Sequence, residues 1–151
     1  MTSKQGGAIW FGEHHNSKND HDLQAQFIRS IYDTRKEMFM ADQKKKNGGS
    51  VSSVLPPPMS IGLEQIQVQF QPALDAYVAG SISEETMLAD VQWEKRWSWS
   101  FDNYRPVFEL AKEFKIPLIA LNVNSEDLAA VERQGFQGLS KEQVKRYIKD
   151  P

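Results

Sequence analysis

The chain has 151 residues, a net charge of −2, 40% apolar and 25% charged residues, the length and balance of one domain with a single core. That charge supplies no basic field for nucleic acid, and no apolar run reaches the roughly 20 residues that span a bilayer. Without cysteine there are no disulfides, thiolate metal sites or thiol nucleophiles, so a cofactor or metal must be held by His, Asp, Glu, Tyr or Met.

In chain order, residues 1–7 read as a loose start. The apolar run "AIWF", bounded by glycines, reads as a first buried strand at 8–11. The polar loop "GEHHNSKN" follows. Asp20 is placed to cap a helix running to about Met40, with Leu23, Phe27 and Ile31 as its inward face. Residues 41–58, "ADQKKKNGGSVSSVLPPP", read as a flexible insertion within one domain. "MSIGLE" is a second strand, 59–64, ending on Glu64. "QIQVQFQ" alternates like a strand, yet the stretch from Gln67 to Ala79 suits a helix stopped by Gly80, with Pro72 its weak point.

Ser81 and Glu84 have capping-box spacing for a short helix, "SEETMLADV". A Trp-rich segment, 93–99, leads into the helix "NYRPVFELAKEF". "PLIALNV" is a third strand closing on Asn122 and Asn124. Two helices follow, "SEDLAAVERQG" and "LSKEQVKRYI", the latter with Ser140 and Gln143 as a capping box. Strands alternating with helices predict an α/β fold: an open, mainly parallel three-stranded sheet with helical crossovers, an incomplete domain at that width.

All three histidines lie between positions 14 and 21. In open parallel sheets ligands bind beyond the carboxyl ends of the strands, where this reading puts Glu13, His15, Glu64 and Asn124, with His21 and Gln24 opening the first helix. Gly12 would permit a sharp turn before them. Imidazole can ligate a metal or carry a proton, and a carboxylate can orient it through its other N–H. In extended backbone His14 and His15 point to opposite sides; His15 is taken as the inward one. Plainer readings stand beside this: solvated histidines, Glu64 capping the next helix, the tryptophans and Tyr104 as packing residues.

The stretches "IWFGEHHNSKNDHDLQAQFI", "IGLEQIQVQFQPALDAYVAG", "WEKRWSWSFDNYRPVFELAKEFKIPLIALNVN" and "GLSKEQVKRYI" resemble the ChaN-like haem-binding domain of the haem-binding uptake, Tiki-type superfamily, closest in wording to the versions in plant and algal plastids. The likeness is carried as a set by Gly12-Glu13-x-His15 after a buried strand, His21 and Gln24 opening the next helix and Glu64 ending the next strand; Gly-x-x-His alone is a weak signal. The resemblance implies a pocket for haem or another tetrapyrrole, with Tyr104 as the residue most similar to the family's iron-holding tyrosine; the candidate iron ligands are Tyr104 or a histidine, His15. It also implies a plastid location and pairing of two subunits around their haems. The family domain runs further, so the chain resembles its front half, which suits a homodimer or assembly with another chain. Superfamily relatives use the same motif in metal-dependent hydrolysis, so a divalent metal held by His15, Glu13, Glu64 and His21 is the third reading, after tetrapyrrole binding and a non-catalytic assembly subunit. Whether the chain is an enzyme is left open.

Overall fold

A computed structural model of the chain describes residues 7–46 and 59–148. The first long element is helix α1, Lys18–Lys46. Strand β1, Ile61–Gln67, follows and pairs in parallel with strand β2, Leu118–Asn122. The crossover between them carries helices α2 (Gln71–Ala79), α3 (Glu84–Asp90), α4 (Trp93–Arg96) and α5 (Phe101–Phe114). Helices α6 (Ser125–Gln134) and α7 (Lys141–Tyr147) complete the described chain.

Local chemistry accounts for most of these boundaries. Ser100 caps α5, its Oγ accepting from the Asp102 N–H at 3.3 Å. Gly80 ends α2 in the left-handed region, φ 84°, which costs a residue without Cβ little. Pro72 sits in the first turn of α2, where its missing N–H would have had no helical partner; it starts the helix rather than weakening it. The Ser140–Gln143 capping box forms as expected.

The core lies on one face of the sheet. Leu63 and Ile66 of β1 and Leu118 and Ala120 of β2 join Leu74 and Tyr77 of α2, Phe108 and Ala111 of α5, and Ala25, Ile28 and Tyr32 of α1 in one apolar cluster. On the other face Ile119 and Leu121 are exposed, so among the described residues the sheet is covered on one side only.

Several expectations from the sequence are corrected. The described sheet has two strands. "AIWF" makes no ladder, and Ile9 and Trp10 are 65% and 87% exposed. A strand exists only where its backbone groups find a partner, and apolar composition alone does not supply one. The inward face of α1 is His21, Ala25, Ile28 and Tyr32, while Leu23 and Phe27 are exposed. Both sets repeat at helical spacing, and contact with α5 selects the first.

Ser17, not Asp20, caps α1, its Oγ 3.3 Å from the Asp20 N–H. Asp20 instead accepts from the His14 N–H at 2.9 Å. The helix runs on to Lys46 because 41–46 is a run of good helix formers, so the first six residues of the supposed insertion are helical; residues 47–58 fall outside the described residues. β1 continues through Gln67, leaving Glu64 exposed in mid-strand; the alternation of "QIQVQFQ" was a strand signal over its first three residues. Ser83 replaces Ser81 as the cap of α3, accepting from the Thr86 N–H at 3.2 Å.

No residue of α7 is buried, so polar contacts hold it. They converge on Asp127, 2% exposed. Its carboxylate accepts from Gln143 Nε2 (2.5 Å), the Tyr147 hydroxyl (2.5 Å), Arg146 NH1 (3.2 Å) and Asn124 Nδ2 (3.2 Å). The Tyr147 bond first, with Gln143, the Arg146 charge and Asn124, outweighs burial and holds the carboxyl below its ordinary value. A depressed carboxyl pKa contributes stability that is complete above the unfolded value, about 4, and is lost as pH falls through the folded value. The protection factors of the residue 141–147 amides, taken against the intrinsic rate at each pH, should therefore fall below about pH 4 in the wild type. In Asp127→Asn they should be low already at pH 7, with about 1–3 kcal/mol of local protection lost. Unchanged exchange in the variant would refute the clasp.

Candidate functional site

The loop before α1 folds back so that Glu13 becomes a hub. Its Oε1 accepts from His15 Nδ1 at 3.0 Å and from Gln65 Nε2 at 3.2 Å; its Oε2 accepts from Gln24 Nε2 at 2.7 Å. His21 Nδ1 lies 3.2 Å from Oε2, without hydrogen-bond alignment. The Glu13 side chain is only 9% exposed. Burial pushes its carboxyl up, but the bonds from His15 and Gln24, the His21 charge and the Tyr104 hydroxyl together hold it below the ordinary value. The loop, the first turns of α1 and the middle of β1 thus meet on one carboxylate.

The two adjacent histidines separate, here in a turn closed by the Ser17 N–H on the His14 carbonyl at 2.8 Å rather than in the extended backbone expected. His14 is 86% exposed and pairs with Asp20 at 3.0 Å. His15 is 32% exposed, its ring against Trp97 (centroids 5.1 Å) and Trp99 (5.8 Å). With a carboxylate on Nδ1, the proton sits there and Nε2 carries the lone pair. The His15 carbonyl is fixed by Asn103 Nδ2 and by His21 Nε2, each at 3.3 Å. His21 is fully buried, its ring 4.2 Å from that of Tyr104.

Tyr104 is 3% exposed. Burial raises its phenol to about 12; a contact with Trp97 opposes this, and Glu13 and the Glu64 charge add to it. Among the described residues three buried polar atoms lack an aligned partner: His21 Nδ1, Trp97 Nε1 and the Tyr104 hydroxyl. All three belong to this one cluster.

Glu13, His15, His21 and Tyr104 are therefore brought together, and Asn124 and Glu64 are not bonded into their cluster. Asn124 is 1% exposed in a second polar group at the strand ends, where its Oδ1 accepts from the Gln69 N–H at 3.1 Å and its own N–H donates to the Tyr147 hydroxyl at 3.1 Å. Beside it Gln67, the true tip of β1, accepts from Arg96 NH1 at 2.7 Å and donates to Ser125 Oγ at 2.7 Å. Gly12 has neither a positive φ nor crowding; a Cβ there would meet open space. Sequence reasoning missed Gln65 and Asn103 as members of the cluster. Only the strand-like alternation around Gln65 could have signalled one of them.

An apolar surface adjoins this loop: Ile9, Trp10, Phe11, Leu23 and Phe27 are all at least 40% exposed, and the Phe11 and Phe27 rings stand 5.9 Å apart. Hollows of 370 Å³, lined by Phe70, Pro72 and Ile82 among others, and 240 Å³, between α1 and α5, lie elsewhere and include no histidine. Among the described residues no group of three or more His, Asp or Glu side chains can hold a metal ion, so the divalent-metal expectation finds no support. No described helix is long and apolar enough to cross a membrane.

The family model described as haem-binding uptake, Tiki superfamily, ChaN matches residues 2–151. The chain belongs to the ChaN family. Neither the curated proteins nor the solved structures compared with it include a match. For this ChaN-family chain the haem expected of the family can be tested against the donor set. His15 offers a partly exposed imidazole with one nitrogen committed to a carboxylate, next to two tryptophans, of which Trp99 is itself exposed. Haem needs an axial donor and an apolar bed, and these residues fit it.

Proposed function

We propose that the chain binds haem, as a representative tetrapyrrole, on the open face beside His15, with His15 as the iron ligand. The observation that carries this reading is the Glu13–His15 pair at 3.0 Å, which commits Nδ1 and leaves the Nε2 lone pair as donor on a partly exposed ring. Trp99 and the Phe11–Phe27 pair supply apolar surface for the macrocycle, and Gly12 leaves bare backbone next to it. Bound haem supplies a redox-active iron whose properties follow its axial ligand and the hydrogen bonding behind it. The residues of this chain hold and orient that ligand and shield one side of it from water. Tyr104 supports the pair from within the core. Arg105, next to Tyr104 in the chain, is committed to Glu84 at 2.9 Å and to Asp102.

The test is a haem titration followed in the Soret region. Wild type should saturate at one haem per chain with a shifted Soret band, and His15→Ala should lose the shift. A wild-type spectrum identical to free haem would sink the reading.

A second reading, pairing with another copy, is supported by the sheet face left uncovered among the described residues: Ile119, Leu121, Val123 and Leu128 are all exposed. Parallel sheets ordinarily carry helices on both faces. Light scattering during size exclusion should give twice the chain mass, and Leu121→Lys should return it to the single mass. A single mass for the wild type at all concentrations would remove this reading.

A further inference from the structure

Every contact around Glu13 serves to fix a carboxylate whose own role is not that of an iron ligand. Both oxygens are taken, Oε1 by His15 and Gln65 and Oε2 by Gln24, with His21 at 3.2 Å. Gln24 and Gln65 lie on α1 and β1, two elements of the rigid scaffold, so the carboxylate cannot swing with the loop. The loop itself is fixed at the His15 carbonyl from α5 and α1. A carboxylate so held does two things to the imidazole on its Nδ1: it sets the tautomer and ring orientation, and it pushes electron density toward Nε2.

We propose that Glu13 is the positioning residue of the His15 ligand, a buried anion that makes His15 a strong donor and so favours the ferric over the ferrous form of the bound group. This rests on the haem reading above. A ligand pushed toward imidazolate stabilises the higher charge on iron more than the lower one, so the carboxylate's contribution appears as a difference between two affinities. Burial strengthens the effect, because a charge on a 9%-exposed side chain is little screened. The neutral isostere Gln can still accept from His15 Nδ1, so orientation and charge can be separated. Asn103 and Trp97, which touch His15 without carrying charge, have no such leverage.

The test has two arms. Nitrogen-15 NMR of the haem-free protein should show His15 as the Nδ1–H tautomer in the wild type and in Glu13→Gln, and a mixture in Glu13→Ala. Gln24→Leu, which keeps the carboxylate but removes one of its clamps, should move the population toward the mixture. With haem added, ferric and ferrous affinities are measured separately. Loss of the partner behind a metal ligand typically costs 10–100-fold in affinity. Glu13→Ala should fall in that range for ferric haem, and Glu13→Gln should weaken ferric binding about tenfold more than ferrous binding. An unchanged ferric-to-ferrous ratio in Glu13→Gln, or a wild-type His15 without the Nδ1 proton, overturns the proposal. A wild type that takes up no haem overturns the haem reading instead, a different outcome seen before any variant is made.

Discussion

Tyr104→Phe is expected to leave haem uptake within about twofold of wild type, while His15→Ala weakens it by more than the roughly 10–100-fold that follows loss of a ligand's hydrogen-bonded partner. The two residues are the rival iron ligands, and their surroundings differ in kind. His15 is partly exposed, with one nitrogen tied back to Glu13. Tyr104 is 3% exposed, and burial first, then the nearby carboxylates, raises its phenol to about 12. At neutral pH the phenol keeps its proton, and iron has no route to it unless α5 shifts. Removing a hydroxyl that has no aligned partner should also cost little stability, about 1 kcal/mol or less. Equilibrium titrations of both variants, with melting curves to confirm folding, check this. If Tyr104→Phe loses the Soret shift and His15→Ala keeps it, the assignment is reversed.

Phe108→Ala should be the most damaging single change in the core, lowering unfolding free energy by about 3–5 kcal/mol. Phe108 has no exposed surface. Its ring meets those of Phe101 at 5.0 Å, Tyr77 at 6.2 Å and Trp93 at 6.2 Å, so it links the aromatic cluster before α5 to the helix that follows β1. The loss combines the transfer energy of the ring with a cavity that α2, α4 and α5 cannot close together. For a domain near the usual 5–15 kcal/mol of total stability that is a large share. Urea unfolding followed by tryptophan fluorescence measures it; a loss under 1 kcal/mol would show that the site collapses. Phe136→Ala, at a residue 80% exposed, is the control.

Both results would bear on how one anionic hub can be made from distant pieces of chain. Glu13 and Gln65 are 52 residues apart, and His15 and Asn103 are 88 apart. Such bonds form only because β1 and β2 align in parallel and α5 lies against α1. The ligand candidate is therefore a product of the core: damage at Phe108 should loosen Asn103, four residues before Val107 and on the same helix, and with it the His15 carbonyl.

What the sequence determined by itself is what a few neighbouring residues can encode. Ser140 starts α7 because its hydroxyl reaches the Gln143 N–H three residues on. Gly80 ends α2 because a residue without Cβ adopts the left-handed turn cheaply. The family likeness, the helices other than α4 and two parallel strands were legible in the sequence. The tertiary structure decided the rest. "AIWF" and "SIGLE" carry similar local strand signals, yet only the second found a neighbour to complete its hydrogen bonds. Leu23-Phe27 and Ala25-Ile28 both fit a helical stripe, and contact with α5 chose between them. Glu64 lost its place at the strand tip to Gln67 because pairing with β2 extends to Asn122. Periodicity specifies which residues can share a face; which face is buried, and which distant side chains a buried charge collects, depends on free energies summed over the whole packed chain.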